Sequence, residues 1–203
     1  MTHNPEQIRC FIAIELPEEA KEGLARLKKE LERDEHKFVK WVDPGGIHLT
    51  LKFLGNISSK RVTEITEAMR KPAQGVSRFH LEISGMGAFP SLRQARVFWV
   101  GIGGDVDKLS RLQQNIDSAL AALGFAKEER SYVPHLTLAR MKQGASPLER
   151  RVFGGLVGAT TFEDKYHVEV EAINLMRSQL TPAGAIYTRL MTVALGYYKN
   201  MNI

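Results

Sequence analysis

The sequence predicts an α+β protein of two similar lobes, each an antiparallel sheet with helices packed on its outer face, flanking a central cleft. Three observations carry that expectation. The tetrapeptide His-Leu-Thr-Leu occurs twice, at residues 48–51 and 135–138, and the copies lie 87 residues apart in a chain of 203. Each copy reads as a strand that follows a helical stretch, so the two halves share one order of elements. No linker or low-complexity segment separates the halves, and residues 1–203 read as one bilobal domain.

The elements follow in order. Residues 9–16 are apolar and rich in β-formers, the pattern of a buried strand. Pro17 opens a helix to about Asp34, with Leu24, Leu27 and Leu31 at helical spacing. Residues 47–54 form a strand between Pro44-Gly45-Gly46 and Gly55-Asn56. Ser58 or Ser59 caps a second helix to about Lys71, with Val62, Ile65 and Met69 facing inward. Residues 79–84 and 96–102 are strands joined by a loop holding Gly85, Gly87 and Pro90. A long helix starts at Asp105 or Asp107, runs on Leu109, Leu112, Ile116, Leu120 and Leu123, and ends on Gly124. Residues 134–140 are a strand, and a short helix follows Pro147. Residues 166–176 and 185–195 pair as a final hairpin around Thr181-Pro182 and Gly184.

Composition narrows the class. At 43% hydrophobic and 25% charged residues, the chain can bury a core without a disulfide or metal staple. The 28 Lys and Arg against 23 Asp and Glu leave a net charge of +5, which suits a polyanionic partner such as RNA without requiring one. A single cysteine, Cys10, excludes an internal disulfide framework and argues for a reducing compartment, and its neighbours Phe11, Ile12 and Ile14 mark it as a core residue. The first residues lack a signal-peptide pattern, and no apolar run approaches the roughly 20 residues of a membrane span. A cytoplasmic protein with no membrane partner is expected.

The repeated segments carry the chemistry. In a strand, residues i and i+2 share a face, so His48 and Thr50 project together while Ile47, Leu49, Leu51 and Phe53 project oppositely. His135 and Thr137 repeat the arrangement against Leu136 and Leu138. Two polar faces related by an approximate twofold would line one cleft. Histidine's unperturbed pKa of about 6.5 lets one of two paired imidazoles accept a proton from an attacking oxygen while the other donates to a leaving oxygen. Threonine hydroxyls supply donors toward non-bridging phosphate oxygens. A metal site needs at least three N, O or S ligands. Neither segment has another such residue nearby on its outward face, so no metal or other cofactor is expected.

At these residues the chain resembles the 2H phosphoesterase superfamily, defined by two His-x-Thr-x motifs, and within it the RNA 2′,3′-cyclic phosphodiesterases, also called 2′-5′ RNA ligases. The resemblance extends to Arg9-Cys-Phe-Ile-Ala-Ile, Trp41-Val-Asp-Pro, the run from His48 to Gly55, the run from Tyr132 to Arg140, Ser178-Gln-Leu180 and Gly184-Ala-Ile-Tyr187. It implies a two-lobed fold and hydrolysis of a terminal RNA 2′,3′-cyclic phosphate to a 2′-phosphomonoester. It further implies His48 as proton donor, His135 as proton acceptor, and Thr50 and Thr137 as phosphate holders. The expected partner is RNA with such an end, tRNA fragments among them, and a monomer is the expected state.

The remaining substrate-binding candidates are weighed by parity. Arg140 matches a phosphate-holding position of the family, yet strict alternation puts it on the face of Leu136 and Leu138 unless the strand bulges near Ala139. Phe53 is a candidate to stack a base, but shares parity with Leu49 and Leu51, which favours the core. Lys52 shares parity with His48 and Thr50, which makes it a cleft-edge phosphate candidate beside the plainer reading of a solvated lysine. Tyr132 is a candidate for the rim, as a stacking or a structural residue. Ser178 and Tyr187 match family anchors, and capping or core roles fit them equally. Arg93 and Arg96, near Phe89 and Phe98, are candidates for an RNA-facing edge. His3, His36, His80 and His167 lack the following threonine and read as solvated or strand-edge residues. Two alternatives stay open: 2′-5′ joining of RNA ends by the reverse reaction, and a non-catalytic nucleotide- or RNA-binding module.

Overall fold

In the computed structural model, which describes residues 6–33, 36–162, 164–182 and 184–196, the chain forms two antiparallel sheets. One contains β1 (Gln7–Glu15), β3 (His48–Ser58), β8 (Ala172–Thr181) and β9 (Gly184–Ala194) in the order β3-β1-β8-β9. The other contains β2 (Val39–Trp41), β4 (Phe79–Phe89), β5 (Val97–Gly104), β6 (His135–Met141) and β7 (Tyr166–Val170) in the order β2-β6-β5-β4-β7. The helices among the described residues are α1 (Glu18–Leu31), α2 (Val62–Gln74), α3 (Val106–Ala121) and α4 (Pro147–Ala159). The α+β class with two antiparallel sheets is therefore as expected. No helix of the described residues is long and apolar enough to cross a membrane.

Each sheet draws strands from both halves of the chain: β8 and β9 join β1 and β3, while β4 joins β5 and β6. The halves are thereby interlocked. One buried cluster joins Ile12 and Leu49 of the first sheet, Ile83 and Leu136 of the second, Leu24 of α1, Ile65 of α2 and Ile116 of α3. A smaller cluster seats Phe153 and Val157 of α4 on Ala88, Phe98 and Ala139. Cys10 lies in the main core at 1% exposure, and burial pushes its thiol up to about 11. Gly124 ends the α3 region with φ +86°, a conformation that suits glycine.

Two expectations about elements are corrected. Residues 166–176 are not one strand: β7 pairs with β4 in one sheet, and β8 leaves it to pair with β1 in the other. The burial phase slips at the crossing, from Tyr166, Val168 and Val170 to Ile173 and Leu175. The strand expected at 79–84 continues through Phe89, taking in Gly85 and Gly87. His3 lies outside the described residues.

Candidate active site

The register of the two motif strands decides which side chains meet. On β3, Glu15, Ala13 and Phe11 of β1 lie opposite His48, Thr50 and Phe53 in turn, so an extra residue is accommodated at Leu51. On β6, Gly101, Trp99 and Val97 of β5 lie opposite His135, Thr137 and Arg140, with the extra residue at Leu138. Both motifs bulge at their second leucine. A bulge resets the alternation beyond it, so the fifth residue after each histidine returns to the histidine's face.

Three parity expectations change as a result. Arg140 stands on the side of His135 and Thr137, exposed, because the bulge that its placement required is present. Phe53 is turned out of the core and is 63% exposed. Lys52 is turned in: it lies opposite Ile12, is 8% exposed, and its ammonium is bound by the Asp117 carboxylate and, at 2.8 Å, the Ala126 carbonyl. Its charge is already matched by Asp117, and it borders the cavity beside the histidines from within the core, not as a solvated cleft-edge lysine.

His48, Thr50, His135 and Thr137 line one cavity of about 510 Å³, together with Arg140 and Phe53. The two histidines are held alike. His48 Nδ1 donates to the Gly46 carbonyl at 2.8 Å, and His135 Nδ1 donates to the Val133 carbonyl at 2.7 Å. A carbonyl can only accept, so both rings carry their proton on Nδ1 and leave the Nε2 lone pair available. The arrangement presents two bases, or after protonation two acids, to whatever fills the cavity.

Their surroundings differ. His48 stacks on Phe11 at 4.4 Å between centroids, and the edge of Tyr187 meets it at 4.9 Å. Burial drives its pKa below the ordinary 6.5, opposed by the bond to Gly46 and by the Glu15 carboxylate across the strand pair. Glu15 is itself held by Asn174 Nδ2 and Arg189 Nε. His135 meets only the edge of Phe89, at 4.9 Å, among the aromatic rings of the described residues, and Gly101 stands where Glu15 stands opposite His48. At the level of sequence Phe89 stands out only as a neighbour of Arg93 and Arg96, and neither Phe11 nor Glu15 stands out as a site residue. The register could have found Phe11 and Glu15, since both lie on the cleft-facing parity of β1.

The other candidates divide. Ser178, Tyr187 and Arg9 line the same cavity. Tyr132 donates its hydroxyl to the Thr50 carbonyl at 3.1 Å, bracing β3 from the segment before His135, and burial raises its pKa. Arg96 borders a second cavity of about 670 Å³, which shares Thr50, Phe53, His135 and Arg140 with the first. Phe98, the neighbour of Arg96 in sequence, is in the core at 1% exposure and packs against Phe153.

Residues 14–99 and 102–187 each match the family model described as LigT like Phosphoesterase. A Methanothermobacter thermautotrophicus protein named RNA 2′,3′-cyclic phosphodiesterase is 35% identical over 182 residues, covering 90% of this chain and 96% of that one. A protein of the same name from Aeropyrum pernix is 37% identical over 155 residues, covering 76% and 85%. The crystal structure of E. coli LigT complexed with 3′-AMP is similar with a TM-score of 0.74 at 25% identity, covering 94% of this chain and 99% of that one.

Proposed function

The chain belongs to the LigT-like phosphoesterase family, and on that premise we propose that it is an enzyme that hydrolyses RNA 2′,3′-cyclic phosphate ends to 2′-phosphomonoesters by two-histidine acid/base catalysis without a metal. The observation that carries the reading is the single cavity lined by His48, Thr50, His135 and Thr137, with both imidazoles fixed as Nδ1–H tautomers. The names of the relatives supply the substrate class.

In this scheme water attacks the cyclic phosphorus and passes a proton to His135 Nε2. The bond from phosphorus to O3′ breaks, and protonated His48 donates its Nε2 proton to that oxygen. The product carries a 3′-hydroxyl and a 2′-phosphate, and solvent restores the two protonation states. The assignment of donor and acceptor follows the family resemblance. Burial keeps His48 neutral in the free enzyme; a bound phosphate anion and Glu15 favour its protonated form once substrate is in place. Thr50 and Thr137 donate to the non-bridging oxygens, Arg140 neutralises charge, and Phe53 offers a ring to the terminal base. Among the described residues, no three His, Cys, Asp or Glu side chains are grouped to hold a metal ion, and the scheme asks for none.

On this reading the protein acts as a monomer, with residues 1–203 as one bilobal unit. RNA fragments, tRNA fragments included, are the class of substrate, met in the cytoplasm. The test is turnover of an RNA oligonucleotide with a 2′,3′-cyclic end by wild type, His48→Ala and His135→Ala. Each variant is expected to lose roughly 10²- to 10⁴-fold in rate, the product to be a 2′-phosphate, and the wild-type rate to survive a chelator. Near-wild-type turnover in either variant overturns the mechanism, and chelator sensitivity overturns its metal-free form. Binding without turnover revives the binding-module reading.

A further inference from the structure

The histidine cavity, at about 510 Å³, is already of the size that encloses a small ligand, for which roughly 300–1,000 Å³ is usual. The adjoining cavity of about 670 Å³ is therefore surplus to a mononucleotide. The two share the wall formed by Thr50, Phe53, His135 and Arg140, so a chain leaving the histidines over Phe53 passes directly into the second.

Its lining fits a nucleotide. Phe89, Pro90 and Val133 give apolar walls, while Arg96 and Arg130 bring two guanidiniums against the one carboxylate of Glu128. Both arginines are exposed, and neither is among the arginines ion-paired within the described residues. Guanidiniums over apolar walls are the usual means of holding single-stranded RNA without reading its sequence. Resting on the function proposed above, we infer that this second cavity binds the nucleotide 5′ to the cyclic end, with Arg96 and Arg130 on its phosphates. The site makes the enzyme selective for RNA chains over cyclic mononucleotides, and tolerant of the base it receives.

The experiment compares kcat/KM for a mononucleoside 2′,3′-cyclic phosphate and for a trinucleotide with the same end, in wild type and in Arg96→Ala/Arg130→Ala. Wild type is expected to favour the trinucleotide on the order of 10-fold. The double variant is expected to lose that preference while turning over the mononucleotide within about twofold of wild type, which also reports that it is folded. Its slope of log(kcat/KM) against log[salt] on the trinucleotide should fall by about 1 per lost contact. Equal wild-type rates on both substrates overturn the inference and leave the function standing. So does an equal loss on both substrates in the variant, which would assign the cavity to the terminal nucleoside. Failure of wild type to hydrolyse either substrate overturns the function and this inference with it.

Discussion

Phe11 lies face to face with His48, ring centroids 4.4 Å apart and planes 24° from parallel. Together with Tyr187, which meets both rings edge-on, it keeps water from one side of the imidazole and holds His48 neutral to lower pH than an exposed histidine. Phe11 is buried, so its truncation would report on folding; Tyr187 is half-buried and can be removed more cleanly. Tyr187→Ala is expected to raise the His48 titration midpoint toward 6.5, read by the NMR shifts of its ring protons. The linkage has a definite sign. A histidine whose folded pKa lies below its unfolded value of about 6.5 contributes stability that is present above that pH and is lost as pH falls through the folded pKa. Tyr187→Ala should therefore flatten the fall of unfolding free energy below about pH 6.5; an unchanged midpoint and an unchanged slope would sink this account.

Phe53 and Arg140 occupy equivalent places, each five residues past its histidine and beyond a bulge at the second leucine. An exposed ring contributes little to folding, so Phe53→Ala should leave the denaturation midpoint nearly unchanged. Loss of stacking on one base is worth about 1–3 kcal/mol, or roughly 5- to 150-fold in KM for a cyclic nucleotide. Phe53→Trp should keep KM near wild type. A large loss of stability in Phe53→Ala with unchanged KM would restore the core reading of this side chain.

The motifs, the four helices of the described residues and the α+β class were legible because each rests on local periodicity, whereas the three-residue β2 and the break between β7 and β8 are too short to leave a clear period of their own. What was not legible arises from register. His-Leu-Thr-Leu looks like uninterrupted alternation, and nothing in the tetrapeptide announces that its second leucine is accommodated as an extra residue. Parity therefore placed His48, Thr50, His135 and Thr137 on one face each, and misplaced Lys52, Phe53 and Arg140, all beyond the bulge. The Lys52–Asp117 pair was out of reach for a different reason: its members are 65 positions apart, and only the packing of α3 beside β3 brings them together. The crossing at Glu171 left a readable trace in the one-residue slip of the apolar alternation after Val170.

Arg140 pairs in register with Lys40 on one side and Val97 on the other, and lines both cavities. A guanidinium there can grip a phosphate through two parallel N–H donors, which an ammonium cannot reproduce. Arg140→Lys is expected to recover only part of the loss seen in Arg140→Ala, whose kcat/KM should fall about 10-fold or more for one charge-assisted hydrogen bond. Inhibition by inorganic phosphate should weaken in parallel. Full rescue by lysine would reduce Arg140 to a general positive charge.

Lys52 and Asp117 have side chains only 6% and 12% exposed, and the Asp117 carboxylate also accepts from the Glu128 amide at 3.4 Å. The pair ties the bulged segment of β3 to α3 and to the segment leading to His135. Removing one partner strands a charge in a dry site, at a cost of about 3–5 kcal/mol, whereas replacing both by apolar side chains of similar size is often neutral. Lys52→Met and Asp117→Leu should each lower the denaturation midpoint strongly, and the double variant should recover most of the loss. Turnover of the cyclic phosphate should return with the fold. A lysine that bound substrate phosphate would behave otherwise: Lys52→Met would raise KM, and removing Asp117 would not restore it. The double variant thus separates a positioning ion pair from a lost phosphate ligand, because only the first predicts recovery with the lysine still absent.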